Sequence, residues 1–277
     1  MTDATLPEND RIEHLYLSPQ METSLALDVP GGQVAVFGRG SPDKDTPNED
    51  SMAVIGVHGA MTVLAVADGL GGGREGKEAS AMAISCLRDA LLQAQEQRSS
   101  PRSAVLNGLE TANRNLIERG VGSATTVVVA AIAGDFLRTY HVGDSGLLQI
   151  GQRGRIVQQT VAHSPVGFAQ ASGMLSEEEA LHHEERHLVS NTLGIAEMSI
   201  EVGPALELKR RDTVLLASDG LFDNLRIDEI VERVRAGPLS ACAEKLRTST
   251  QHRMATPHSA QPSKPDDLSY ILFRRTV

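Results

Sequence analysis

The sequence predicts an α+β protein in which antiparallel sheets are covered by helices, and three observations lead there. Strand-like runs come in groups spread from Gln33 to Phe273, helical patterns fall in pairs between them, and no long Pro- or Ser-rich linker divides the 277 residues. Strict strand–helix alternation would have pointed to a doubly wound parallel sheet, and a linker to two domains. A single domain is therefore expected over residues 31–277; residues 1–30 show no clear period and read as an N-terminal arm.

Each element follows from its local pattern. Gln33–Phe37, Ser51–Ile55 and Met61–Ala67 read as strands, the last (MTVLAVA) apolar enough for burial on both faces. From Glu75 to Gln97, Ala79, Met82, Ala83, Cys86, Leu87, Ala90 and Leu91 recur at spacings of three and four, which is one face of a helix. Pro101 suits the first turn of a second helix, which runs to Glu118 and stops at Gly120. Thr125–Ala133, Phe136–Val142 and Gly146–Ile150 are β-branched or apolar runs parted by Gly and Asp. Ser176 and Glu179 form a capping box that opens a short helix through His187. Thr213–Ser218 is a buried strand, Ile227–Arg235 and Leu239–Gln251 are helical, residues 255–265 form a surface loop, and Leu268–Phe273 is the last strand.

Composition narrows the function. The 26 basic residues are scattered against 36 acidic ones, a net charge of −10, so no basic face is available for nucleic acid. No run reaches the length of a membrane span, and the opening MTDATLPENDRIEH lacks the apolar core of a secretory signal. Cys86 and Cys242 lie far apart in helical patterns, which suits a reducing cytoplasm rather than a disulfide framework. A monomer is the default expectation.

Three motifs need weighing. Gly71-x-x-x-x-Gly76-Lys77 matches a phosphate-binding loop, but Glu78 stands where a Ser or Thr hydroxyl would ligate Mg²⁺. A dinucleotide fingerprint from Gly69 and Gly71 fails at Arg74, where close packing of helix on strand requires Gly or Ala. His183-Glu184-Glu185-Arg186-His187 fits a zinc-peptidase motif, yet with Leu181 and Leu188 marking the buried stripe, His183 falls on the solvent side.

Acidic residues at strand ends make a stronger pattern. Asn48-Glu49-Asp50 precedes a strand, Asp68-Gly69 ends one, Asp144 lies between two, Asp219-Gly220 ends one and Asp266-Asp267 precedes the last. If those ends meet, the carboxylates cannot all stay ionised without cations. All-oxygen ligation selects Mg²⁺ or Mn²⁺.

In this setting DGLGGGREGKEAS (68–80), GSATTVVVAAI (122–132), HVGDSGLL (141–148), TVAHSPVGFAQASGMLSEEEA (160–180), NTLG (191–194), LASDGLFDNL (216–225) and DDLSYIL (266–272) together resemble, in order, the metal-dependent serine/threonine protein phosphatases of the type 2C class, especially the bacterial ones. The resemblance covers Val34–Arg274 and implies a four-layer α-β-β-α sandwich, two antiparallel sheets flanked by helix pairs, with a flap at residues 164–190. It implies two divalent ions with Asp68 between them: the Gly69 carbonyl ligates one of them directly or through water, Asp219 and Asp266 complete one ion, Glu49 with Asp50 nearby serves the other, and Asp144 shares a weaker third site with Asp219. Asp68 and Asp219 would be the catalytic pair, since a water shared by two ions loses a proton near neutral pH and attacks phosphorus. Phosphorylated proteins would be the substrates, with a Ser/Thr kinase and its targets as partners.

The chain also departs from the family pattern. Asp45 stands where an Arg usually grips the substrate phosphate, leaving Lys44, Arg39 or Arg74 for that task. Gly73 replaces a frequent His, Gly146 an Arg, Ala162 an Asp and Asp267 an Asn. These changes keep open a second class, a phosphatase-like module that binds phosphoproteins without turnover.

Overall fold

The structure, a computed structural model, describes residues 12–57, 61–256 and 261–276. In chain order come β1 (Glu13–Leu17), β2 (Leu25–Val29), β3 (Gly32–Arg39), β4 (Ser51–Val57), β5 (Met61–Ala67), β6 (Gly69–Leu70), α1 (Arg74–Gln97), α2 (Pro101–Arg119), β7 (Ala124–Thr125), β8 (Val127–Ala133), β9 (Phe136–Val142), β10 (Gly146–Ile150) and β11 (Ile156–Gln159). They are followed by α3 (Pro165–Ala171), α4 (Glu177–Leu181), β12 (Glu201–Val202), β13 (Leu206–Glu207), β14 (Thr213–Ala217), α5 (Asp219–Phe222), α6 (Ile227–Val234), α7 (Leu239–Ala255) and β15 (Leu268–Arg275).

Two large sheets result, with antiparallel pairing throughout. One runs β1-β4-β5-β8-β9-β12, with β13 also on β9; the other runs β11-β10-β14-β15-β3-β2. The central strands are apolar on both faces, and their period of two sorts side chains between different cores. Ala53, Val63, Ala65 and Val129 face α1 and α2, whereas Met52, Val54, Leu64, Val66 and Val128 face the other sheet. In the second sheet Ala35, Leu215, Tyr270 and Leu272 pack under α6 and α7, while Val36, Leu216, Ile271 and Phe273 fill the space between the sheets. The layers are therefore helix pair, sheet, sheet, helix pair, as the sequence predicts.

Helix ends obey local chemistry. Gly120 terminates α2 in the left-handed region at φ 69°. The capping box of Ser176 and Glu179 is formed, but α4 stops at Leu181 instead of reaching His187. There the Nη1 of Arg186 donates to the carbonyl of Leu181, and Glu185 N–H is taken up by the Nδ1 of His183 at 3.1 Å, so the chain turns. His183 and His187 thus share no helical face, and the zinc reading fails on geometry.

Part of the expected arm is ordered as strand. β1 pairs with β4, and β2 with β3, at outer positions of the two sheets. Their mostly exposed side chains explain the weak signal, because an edge strand with little to bury needs no clean alternation. Residues 1–11, and residues 257–260 of the expected 255–265 loop, lie outside the described residues.

Candidate metal centre

Strand register brings the acidic segments to one end of the sandwich. Ser51 at the start of β4 pairs with Ala67 at the end of β5, and Gly146 at the start of β10 pairs with Ala217 at the end of β14, which in turn pairs with Tyr270 of β15. Asp50, Asp68, Asp144 and Asp219 lie one or two residues beyond the ends of those strands, and Asp266 lies two residues before β15 begins.

Each is held by its backbone or by a neighbour. The Asp68 carbonyl accepts from Thr126 N–H at 2.9 Å and Thr125 Oγ1 at 2.7 Å, while its own N–H donates to Thr126 Oγ1 at 3.3 Å. These bonds explain why the expected strand 125–133 breaks at Thr126 into β7 and β8. Asp50 accepts at Oδ2 from Ser218 Oγ, 2.9 Å away. Glu49 accepts at Oε1 from Gly73 N–H at 2.7 Å, which fixes the glycine loop against it. Asp267 accepts from Ser41 N–H on one oxygen and Glu49 N–H on the other, both at 2.7 Å. An amide could accept only one of those two bonds.

Two glycines are required by close approach. A Cβ on Gly76 would run into Glu49 Oε2 and lie 2.7 Å from the Gly69 carbonyl oxygen. A Cβ on Gly220 would collide with the Asp267 carbonyl. Gly76 is thus explained by packing against Glu49 and Gly71 by its φ of 130°, with no need of a nucleotide phosphate.

The electrostatics match a crowded carboxylate site. Burial raises the Asp68 pKa well above its ordinary value, and Asp50, Asp219, Asp144 and Asp266 push it further. Burial, then Asp219 and Asp223, lift Asp144 to about 7. Asp219 is lifted to about 6 by burial, against the pull of Lys264, with Asp266 and Asp223 adding to the rise. Burial raises Asp50 and Glu49 as well. The fit to hard cations rests on this all-oxygen donor set and on a buried oxygen, Asp50 Oδ1, that has no hydrogen-bond partner among the described residues.

The three basic candidates differ in position. Lys44 Nζ lies 3.3 Å from Asp266 Oδ1. Lys44, Arg39 and Asp266 line one cleft of about 550 Å³, although Arg39 also pairs with Glu22 at 2.8 Å. Arg74 is 88% exposed and pairs with Glu78 one turn along α1. Asp144, Asp219 and Asp223 line a second cavity of about 480 Å³, walled by Leu147, Leu181 and Phe222.

Sequence reasoning missed Asp223, Asn224 and Lys264, all in contact with this cluster or its supports. Asp223 could have been found, since it follows Asp219 by one helical turn. It also missed the grouping of His141, His163 and Glu201. Here His163 Nδ1 accepts from Gly143 N–H at 3.2 Å and faces Asn191 Nδ2 at 2.9 Å, leaving Nε2 to donate to Glu201 at 3.3 Å. Those bonds anchor the base of the 164–190 segment to the turn after β9 and to β12.

A family model described as Protein phosphatase 2C matches residues 37–256. The chain belongs to the protein phosphatase 2C family. Among its relatives, protein phosphatase PhpP of Streptococcus pneumoniae is 32% identical over 235 residues, covering 82% of this chain and 89% of the relative. Serine/threonine phosphatase Stp of Listeria welshimeri is 33% identical over 188 residues, covering 63% and 72%. The solved serine/threonine phosphatase of S. agalactiae superposes with a TM-score of 0.73 at 25% identity, over 87% of this chain and 98% of that one. The catalytic domain of PstP, solved with 2 manganese ions, shares the fold at a TM-score of 0.68 and 23% identity, over 88% and 98%. This member of the 2C family is accordingly a protein serine/threonine phosphatase, a hydrolase acting on phosphorylated proteins. Among its described residues no helix is long and apolar enough to cross a membrane.

Proposed function

We propose that this phosphatase works with two divalent ions, Mn²⁺ or Mg²⁺, which Asp68, Asp219, Asp266, Glu49 and the Gly69 carbonyl would hold, with Asp50 beside Glu49. The observation that carries the reading is the strand register that gathers Asp50, Asp68, Asp144, Asp219 and Asp266 at one end of the sandwich, close enough that the other four all act on Asp68. Such ions supply an acidified water as nucleophile and positive charge for the phosphoryl oxygens.

The chain's own residues do the rest. Asp267 grips the backbone of Ser41 and Glu49, so the segment between β3 and β4 is fixed to the start of β15. Ser218 holds one oxygen of Asp50 and leaves the other free to act as a ligand. Lys44, at the rim beside Asp266, is the favoured group for the substrate phosphate, with Arg39 across the same cleft. Arg74 would have to leave Glu78 to take part. As a point charge, Lys44 neutralises a phosphate without the two-pronged geometry of Arg.

We read the phosphoprotein partners as a Ser/Thr kinase and its targets, and the enzyme as a cytoplasmic monomer. Two free cysteines, one half-buried and one buried, support the reducing compartment. The test is phosphate release from a phosphothreonine peptide with Mn²⁺ by the wild type, Asp68→Asn and Asp219→Asn. Losses of at least about a hundredfold in kcat in both variants, with unchanged circular dichroism, are expected; turnover retained in either would contradict the assignment.

A further inference from the structure

The segment QPSKPDD, residues 261–267, carries a lysine into the carboxylate cluster. Lys264 Nζ lies 2.7 Å from Asp219 Oδ2, 2.8 Å from Asp223 Oδ2 and 3.2 Å from Asp266 Oδ2. Its ammonium donates hydrogen bonds to Asp219 and Asp223 and forms an ion pair with Asp266, so three carboxylates surround one cation.

The backbone shows that this placement is built. Fully buried Asn224 accepts the Lys264 N–H at Oδ1, 2.9 Å, and donates from Nδ2 to the Lys264 carbonyl at 2.8 Å. Pro262 and Pro265 restrict the chain on either side of Ser263 and Lys264. Buried Arg253 donates to the carbonyls of Asn224 and Pro262 at 3.1 and 3.3 Å, and its own carbonyl accepts from Ser263 Oγ at 2.9 Å. Lys264 is therefore clamped at its root, and its side chain is only 22% exposed. Asp144 belongs to the same side of the cluster, since it lines one cavity together with Asp219 and Asp223.

We propose that Lys264 is a tethered cation that takes the place of a third divalent ion beside Asp144, Asp219 and Asp223, so that the protein binds two ions rather than three. The inference rests on the reading that the cluster holds divalent metal. A fixed positive charge within reach of those oxygens repels an incoming ion and occupies its ligands. It also supplies part of the counter-charge that the carboxylates need in the metal-free protein, which free ions alone would otherwise provide.

The test counts Mn²⁺ by native mass spectrometry and calorimetry on the wild type, Lys264→Met and Lys264→Arg. Two ions are expected on the wild type and on Lys264→Arg. Lys264→Met should gain a third, or bind its weakest ion at least about tenfold more tightly. Its melting temperature in EDTA should fall below that of the wild type and recover more in Mn²⁺. Should Lys264→Met not fold without metal, it is refolded in Mn²⁺ and counted by mass spectrometry alone. Equal stoichiometry and affinity in wild type and Lys264→Met overturn the proposal while leaving the metal centre standing, as do three ions on the wild type; no bound Mn²⁺ on any of the three proteins overturns both.

Discussion

Removing divalent metal and then raising the pH should destabilise the enzyme, because its crowded, partly buried carboxyls hold protons where an unfolded chain would not. Asp144 is lifted to about 7 and Asp219 to about 6, in both cases first by burial. An unfolded aspartate titrates near ~3.9. Between that value and the folded pKa the native state binds more protons than the unfolded one, so stability falls as pH rises. The proton-linked stabilisation is complete below about pH 4 and gone by about pH 8. Over pH 5.5 to 8, Asp144 loses it across about 1.5 pH units and Asp219 across about 0.5, together about 3 kcal/mol at about 1.36 kcal/mol per unit. At roughly 2–4 °C per kcal/mol for a chain of this size, the melting temperature in EDTA should drop by about 6–12 °C. Saturating Mn²⁺ favours the ionised carboxylates, so its stabilising effect should grow over the same interval. Differential scanning fluorimetry at both pH values, with EDTA and with Mn²⁺, reads all four quantities. A melting temperature in EDTA that stays level or rises, with a Mn²⁺ gain independent of pH, would refute the reasoning.

Three further outcomes follow from close contacts. Gly76→Ala places a methyl against the Glu49 carboxylate and the Gly69 carbonyl, so it should weaken Mn²⁺ binding in calorimetry and cost about 1–3 kcal/mol in denaturant melts. Gly220→Ala meets the Asp267 backbone, which cannot swing aside as a side chain could; kcat should fall by more than about tenfold even where the fold survives. Arg253→Met strips the buried partner of Glu229 and the carbonyls of Asn224 and Pro262, and urea melts should show a loss of about 3–5 kcal/mol.

Much of this molecule could be read from the chain because its central strands and long helices obey simple periods. Met61–Ala67 is observed with the expected bounds, and Pro101 and Gly120 mark the second helix as start and stop signals should. The clustered acids were legible as a set, since each sits beside an apolar run whose end is easy to locate. What stayed hidden depends on contacts between distant segments. The edge strands β1 and β2 bury too little to leave a pattern. The early end of α4 depends on Arg186 reaching back to Leu181. Lys264 gave no warning because a lysine between prolines looks like any surface loop; only the Asn224 clamp, formed across 40 residues of sequence, turns it inward. Asp267, noted as a change from Asn, makes sense once its two oxygens are seen to serve two separate backbone donors.

The most direct test is an anomalous difference map, recorded at the manganese edge from crystals of the wild type soaked in Mn²⁺. Two peaks are predicted, with Asp68 in contact with both and Asp219 and Asp266 in contact with one of them. A map without density among those three carboxylates, from a crystal whose enzyme hydrolyses phosphopeptide, would contradict the account.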